Sequence, residues 1–185
     1  MNIRPLKLNG AYEIDLDPHS DARGYFVRTF DVEIFRSHGL ANAWKQESES
    51  LSLQSGTIRG LHFQVPPQAE TKLVRVTAGE IWDVLVDLRR DSETYGQWDA
   101  LVLSSGNLRM VYIPPGFAHG FCTLTDMAVV QYKMDAYFAP VQKMVGLRWD
   151  DETLAIPWPT KTPIVSEKDR MLSSFKTFVS PFVMG

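Results

Sequence analysis

From Leu73 onward, turn residues cut the chain into short apolar runs about ten residues apart, a rhythm that few folds accommodate. Leu73 to Thr77 and Ile81 to Leu88 are rich in β-branched and aromatic residues, with Ala78-Gly79 as a tight connection between them. Asp99 to Leu103, Arg109 to Ile113, Gly120 to Leu124 and Ala128 to Met134 continue the series. Gly56, Gly96, Gly106, Pro114-Pro115-Gly116 and Pro140 supply the breaks. Strands so placed, with little helix between them, predict an all-β sandwich or barrel. One short helix is predicted from Val32 to His38, capped by Asp31, ended by Gly39, and turning Val32, Ile34 and Phe35 to the core. A second begins near Ser166.

No repeat, linker or low-complexity segment divides the 185 residues, so residues 1–185 read as a single domain. A hydrophobic content of 44% can fill its core. From about 171 the tail is apolar (Phe175, Phe178, Val179, Phe182, Val183) and is expected to dock on this subunit or a neighbour. A net charge of −3 carries no footprint for nucleic acid, so an anionic ligand needs a few placed arginines and lysines. Cys122, the only cysteine, rules out an intrachain disulfide and reads as a small core residue. No basic-then-apolar leader or membrane-length apolar run is present, which sets a cytoplasmic, membrane-free expectation.

Two of the four histidines sit in strand-like, aromatic-rich fragments, Arg59-Gly60-Leu61-His62-Phe63-Gln64 and Pro114-Pro115-Gly116-Phe117-Ala118-His119-Gly120-Phe121. No pair of histidines has metal-ligand spacing, and the His-x-His of metal-binding β-barrels is missing. Gly-x-Ser-x-Gly and phosphate-cradling glycine loops are missing too. A histidine near other titratable groups moves protons at neutral pH, which points to acid/base chemistry. In an extended strand His62 shares a face with Ile58, Gly60 and Gln64. Lys72 has the parity of Val74 and Val76 and points inward if they do, although the opposite pattern, with Leu73 inward, is equally regular. Taken singly, each candidate also has a structural role. His62 can be an inert core histidine, Tyr132 a core tyrosine, and Asp169 part of a Ser166-x-x-Asp169 helix cap. Asp83 and Asp87 alternate with Leu85, and one of them can meet an inward His119.

In order along the chain, these residues resemble the dTDP-4-dehydrorhamnose 3,5-epimerase family. The resemblance runs through Asp21-Ala22-Arg23-Gly24-Tyr25-Phe26, the two histidine fragments, Lys72-Leu73-Val74-Arg75-Val76 and Gly79-Glu80-Ile81-Trp82-Asp83-Val84. It continues through Tyr95-Gly96-Gln97-Trp98, Arg148-Trp149-Asp150-Asp151 and Ile156-Pro157-Trp158-Pro159 to Ser166-Glu167-Lys168-Asp169-Arg170. It implies a cupin-type jelly-roll, usually a homodimer, with no metal or organic cofactor. The implied substrate is a nucleotide-diphosphate 4-keto-6-deoxy sugar inverted at C3, C5 or both. By the same resemblance His62 is the base, Asp169 orients it, Lys72 faces the C4 oxygen, Tyr132 is the proton donor and His119 contacts the sugar or supports the enolate. Arg23 and Arg59 are implied for the diphosphate, Gln46 for the base, Ser48 for substrate binding, Phe138 for stacking and Lys168 for a further nucleotide contact. Trp44, Trp82 and Tyr137 read equally well as core residues.

Three positions depart from the family pattern, all at the nucleotide end. Arg28 stands where a glutamate is usual, Ser48 ends Gln46-Glu47-Ser48 where Gln-x-Asn is usual, and no acidic residue follows Pro140 among Gln142, Lys143 and Met144. CDP- and GDP-linked ketosugars therefore stand beside dTDP as substrates, and a monofunctional 3- or 5-epimerase beside the double one. A catalytically silent sugar-nucleotide-binding cupin is a second class, against which the complete set His62, Lys72, Tyr132 and Asp169 argues. A metal-dependent cupin oxygenase or isomerase is a third.

Overall fold

A computed structural model describes residues 1–41, 43–139 and 145–184. The chain opens with β1 (Asn2–Pro5), β2 (Tyr12–Asp15), a ribbon of β3 (His19–Asp21) and β4 (Gly24–Phe26), and helix α1 (Val32–Ser37). Strands β5 (Gln46–Ser52), β6 (Thr57–Phe63), β7 (Lys72–Ala78), β8 (Glu80–Asp87) and β9 (Trp98–Ser104) follow. Then come β10 (Arg109–Ile113), β11 (Phe117–Thr123), β12 (Ala128–Met134), β13 (Val145–Gly146), β14 (Ile164–Val165), helix α2 (Glu167–Arg170) and a 3-10 turn, Phe175–Thr177.

Two sheets pack face to face. The first runs β1-β2-β10-β7-β12-β5 and the second β13-β6-β11-β8-β9, with β14 added in parallel beside β6. Apart from an isolated parallel bridge between Leu147 and Ser173, the other strand pairings among the described residues are antiparallel, and neighbours in a sheet are often distant in sequence, as in a jelly-roll. Between the sheets lie Val74, Val76, Val111 and Val130 from the first, and Ile81, Leu85, Leu103 and Phe121 from the second.

Each sheet is also covered on its outer face, which explains why strand parity alone was ambiguous. Leu73, Ile14 and Met110 on the outside of the first sheet pack beneath Phe35, Leu40 and Trp44. Leu61, Val84 and Val86 on the outside of the second pack beneath Leu154, Ile156, Trp158 and Phe182. So both faces of β7 are buried, and Lys72 shares the inward parity of Val74 and Val76 while Leu73 points the other way.

The predicted helix is observed as α1, with the Asp31 carboxylate accepting from Glu33 N and Ile34 N. Phe35 is buried as expected, but Val32 is exposed, because the six-residue helix presents only a narrow stripe to the sheet. In the tail, Phe182 is buried and Phe178 meets Phe63 edge-on at 5.3 Å, whereas Val179 and Val183 face solvent. Among the weighed tryptophans, Trp82 packs edge-on against Trp98 and Trp158, and Trp44 joins the cluster around Phe35. Tyr137 is exposed. Cys122 is buried, and burial pushes its thiol up to about 11. No helix of the described residues is long and apolar enough to cross a membrane.

Candidate active site

At one end of the sandwich the inward positions change from apolar to polar. On β12 the run Ala128, Val130 gives way to Tyr132; on β7, Val76 and Val74 give way to Lys72. The space left there is a cavity of about 810 Å³ between the two sheets. His62 and His119 line it from the second sheet, and Lys72, Tyr132, Gln46 and Ser48 from the first.

A bulge in β6 sets the first wall. His62 pairs with His119 and Arg59 with Phe121, so β6 advances three residues while β11 advances two. Three residues apart in a regular strand, Arg59 and His62 would face opposite sides; the extra residue lets both line the cavity. Gly60 makes this possible. Its φ is +130°, and a β-carbon there would lie 2.6 Å from Gly120 Cα and 2.8 Å from the His119 carbonyl oxygen. Gly60 therefore packs against the neighbouring strand and is not on the cavity face, contrary to the simple alternation expected around His62.

Asp169 reaches His62 from a distant part of the chain. β14 pairs with Thr57 and Ile58 of β6, so α2 starts beside the bulge. Ser166 caps α2 by accepting from Asp169 N, but the Asp169 carboxylate does not complete a reciprocal cap. One oxygen accepts from His62 Nε2 at 2.7 Å, and the other faces Gly60 N at 3.4 Å. Burial alone would raise this carboxyl's pKa. The His62 hydrogen bond and charge, with the Gly60 and Ser166 donors, outweigh it and hold the group below the ordinary carboxylate range. With Nε2–H committed to Asp169, the imidazole lone pair is on Nδ1. A second pair lies deeper, where His119 Nε2 meets Asp83 Oδ2 at 2.8 Å, so Asp83 rather than Asp87 is the partner. Asp87 instead binds Arg89, Ser92 and Thr94.

The opposite wall carries a cation and a phenol. Lys72 Nζ lies 3.3 Å from Glu70 Oε1 and 3.5 Å from the His62 carbonyl oxygen. Burial raises the Tyr132 pKa, Glu70 adds to it and Arg59 opposes, so the phenol stays protonated at neutral pH. At the rim, Arg59 donates to Ser52 Oγ and to the Leu51 carbonyl, bridging the two sheets. Gln46 accepts from Phe138 N at 2.6 Å and so fixes the exposed Phe138 ring beside the opening. Lys168 lines the cavity from α2.

Ten of the eleven residues singled out from the sequence meet in this one cavity: Gln46, Ser48, Arg59, His62, Lys72, His119, Tyr132, Phe138, Lys168 and Asp169. Arg23 does not. It sits on the β3–β4 ribbon, ion-paired to Asp21, with its side chain 90% exposed. Arg28 lies apart from the cavity as well, beside Asp31. Pro140, Gln142, Lys143 and Met144 lie outside the described residues. Sequence reasoning missed Glu70 and Gln64, although a carboxylate two residues before an inward lysine was a usable signal. Among the described residues no group of three or more His, Cys, Asp or Glu is arranged to hold a metal ion. Arg59, Lys72 and Lys168 outnumber Glu70 and Asp169 here, so the cavity suits an anionic ligand despite the chain's net negative charge.

Comparison with known proteins finds likenesses over nearly the whole chain. The family model for dTDP-4-dehydrorhamnose 3,5-epimerase matches residues 5–177. An enzyme of that name from Methanothermobacter thermautotrophicus is 46% identical over 166 residues, covering 88% of each chain. The dTDP-4-dehydrorhamnose 3,5-epimerase of Bacillus anthracis, solved with TDP and pyrophosphate bound, superposes with a TM-score of 0.91 at 42% identity, covering 94% of this chain and 98% of its own. The Legionella pneumophila dTDP-6-deoxy-D-glucose-3,5-epimerase, in complex with dTDP-4-keto-L-rhamnose, gives 0.93 at 35% identity, covering 100% and 99%.

Proposed function

This chain belongs to the dTDP-4-dehydrorhamnose 3,5-epimerase family, and we propose that it inverts C3 and C5 of dTDP-4-keto-6-deoxyglucose as a single catalytic domain. It is an isomerase with a cupin-type β-sandwich fold.

The reading rests on one observation, a carboxylate-backed histidine on one wall of a cavity facing a buried phenol and an ammonium on the other. A proton beside a ketone is acidic because the carbanion spreads onto the carbonyl oxygen. In this reading His62 Nδ1 takes the proton, and Asp169 counters the charge of the imidazolium that forms. Lys72 meets the negative charge growing on O4, a kind of stabilisation worth about 3–4 kcal/mol of barrier. Tyr132 then delivers a proton to the opposite face of the carbon, and the stereocentre inverts. His119, held by Asp83, contacts the sugar. Substrate and product are isomers, so these steps need no electron acceptor, and Lys72 does the work a metal would do at O4. Arg59 and Lys168 serve the diphosphate, Gln46 and Ser48 the base, and Phe138 stacks on it. We assign the enzyme to the cytoplasm, where nucleotide-linked sugars are made and used.

The test is incubation with dTDP-4-keto-6-deoxyglucose in heavy water, read by proton NMR. Deuterium should appear at C3 and C5. Label at one centre only would make this a monoepimerase. No label with the dTDP sugar, but label with a CDP- or GDP-linked analogue, would overturn the nucleotide assignment. No label with any of them would end the reading.

A homodimer belongs to the same proposal. Tyr25 and Phe26 are exposed on the ribbon with Arg23, and β5, at the rim of the cavity, is an edge strand with Leu51 exposed. An open edge and an unpacked aromatic ribbon are costly in water and suit a second copy. Arg23 would then act at that copy's diphosphate. Light scattering should give twice the chain mass, and Tyr25→Asp with Phe26→Asp should give monomers with weakened dTDP binding. A monomeric native protein would remove the dimer, and with it the role of Arg23.

A further inference from the structure

Glu70 is a carboxylate inside a cavity that suits an anionic substrate, an unfavourable place for negative charge unless it does something there. Its side chain and that of Lys72 are each only 12% exposed. One oxygen lies 3.3 Å from Lys72 Nζ, and the other accepts from Gln64 Nε2 at 2.8 Å. Gln64 is itself anchored, accepting from Ala139 N at 2.9 Å and donating to the Gln68 carbonyl. The carboxylate is therefore held from behind and presented to the lysine. A buried ion pair adds little net stability compared with apolar residues of the same shape, so stability is a poor reason to keep one here.

We propose that Glu70 is a positioning residue of this active site, fixing the Lys72 ammonium at the wall that meets O4 and setting a negative neighbour beside Tyr132. The inference deepens the epimerase reading and rests on it. Lysine carries its charge on a flexible four-carbon stem, and a single point of attachment restricts where that charge sits. Held in this way, it meets the growing charge on O4 without first being reorganised.

The phenol of Tyr132 shares the cavity with titratable groups from several elements. Arg59 and His62 line it from β6, His119 from β11, Lys72 from β7, and Lys168 and Asp169 from α2. Glu70 and Asp169 are the only carboxylates lining the cavity among the described residues, and Asp169 is engaged with His62. Glu70 adds to burial in raising the Tyr132 pKa, against Arg59. Without its charge, the phenol should ionise at lower pH.

The test is Glu70→Gln, which keeps the shape and an acceptor for Gln64 but removes the charge, with Glu70→Asp as the variant that retains it. The pH profile of kcat and the KM for dTDP-4-keto-6-deoxyglucose are read for both and for the native enzyme. For Glu70→Gln, kcat should fall about tenfold, less than the about 10²–10³ typical of removing a stabilising donor itself. KM should stay within about twofold, and the basic limb should move to lower pH, while Glu70→Asp keeps that limb where the native enzyme has it. A Glu70→Gln enzyme with native kcat, or with an unmoved basic limb, overturns the proposal. A native enzyme that exchanges no deuterium sinks the epimerase reading, and this inference with it.

Discussion

The His62→Ala enzyme is expected to incorporate no deuterium at C3 or C5 and to turn over about 10⁴-fold more slowly, the upper end for a general base. That corresponds to about 5.5 kcal/mol of barrier. The loss should be this large because, in the assignment above, one imidazole takes the proton at both carbons. Asp169, whose carboxyl stays ionised to below the ordinary range, has no other base to support. Binding should survive. His62 borders open cavity, so truncating it does not collapse the core between the sheets; Gln46 and Phe138 lie on other elements of the rim, and Arg59, three residues away on β6, is held by Ser52 and the Leu51 carbonyl. Calorimetric titration with dTDP should therefore give a Kd close to native. Equal exchange in the native and His62→Ala enzymes would remove the imidazole from its assigned role.

Tyr132→Phe is expected to separate two events that His62→Ala abolishes together. Deuterium should still enter, since His62 can remove a proton and return a deuteron on the same face. Formation of the inverted sugar should fall by about 10²–10³, because no donor is left on the opposite wall. The phenol suits that work because burial, with Glu70 adding and Arg59 opposing, keeps it protonated at neutral pH. A single NMR time course reads both quantities, as deuterium in recovered substrate and as epimerised product. If exchange and inversion fell by the same factor, Tyr132 would belong to proton removal, and the opposed-wall account would be wrong.

Much of the scaffold was legible before any coordinates. Ala128 to Met134 and Arg109 to Ile113 coincide with β12 and β10, because both runs are rich in β-branched residues and tyrosine, and turn-forming residues, Asp126 and Asp135 for the first and Asn107 and Pro114 for the second, flank them. The β11 strand begins at Phe117, earlier than Gly120, as soon as the Pro114-Pro115-Gly116 turn ends. By contrast β5 was not foreseen. Its sequence, Gln46-Glu47-Ser48-Glu49-Ser50-Leu51-Ser52, carries almost no apolar alternation, since its inward face borders a polar cavity and it has a neighbour on one side only.

The active-site residues divide in the same way. His62, Lys72 and Asp169 sit in short family-like motifs and Tyr132 was implied by the same resemblance, but parity could not settle which way Lys72 points when both faces of β7 are covered. Asp169 and His62 are 107 positions apart, and only the pairing of β14 with β6 brings the carboxylate to the ring. Arg23 shows the reverse, a motif residue that the fold carries away from its own cavity.

Local chemistry, read along the chain, was enough to anticipate most of the strands, the turns and the two short helices, and the resemblance to one family named the candidate proton-transfer groups. Alternation, capping and side-chain type act over a few residues, and the order of letters records them. Which groups face one another was decided by contacts between distant segments. The bulge at Gly60, the clasp of Glu70 on Lys72, and the placing of His62 and Tyr132 on opposite sheets exist only once the sandwich closes.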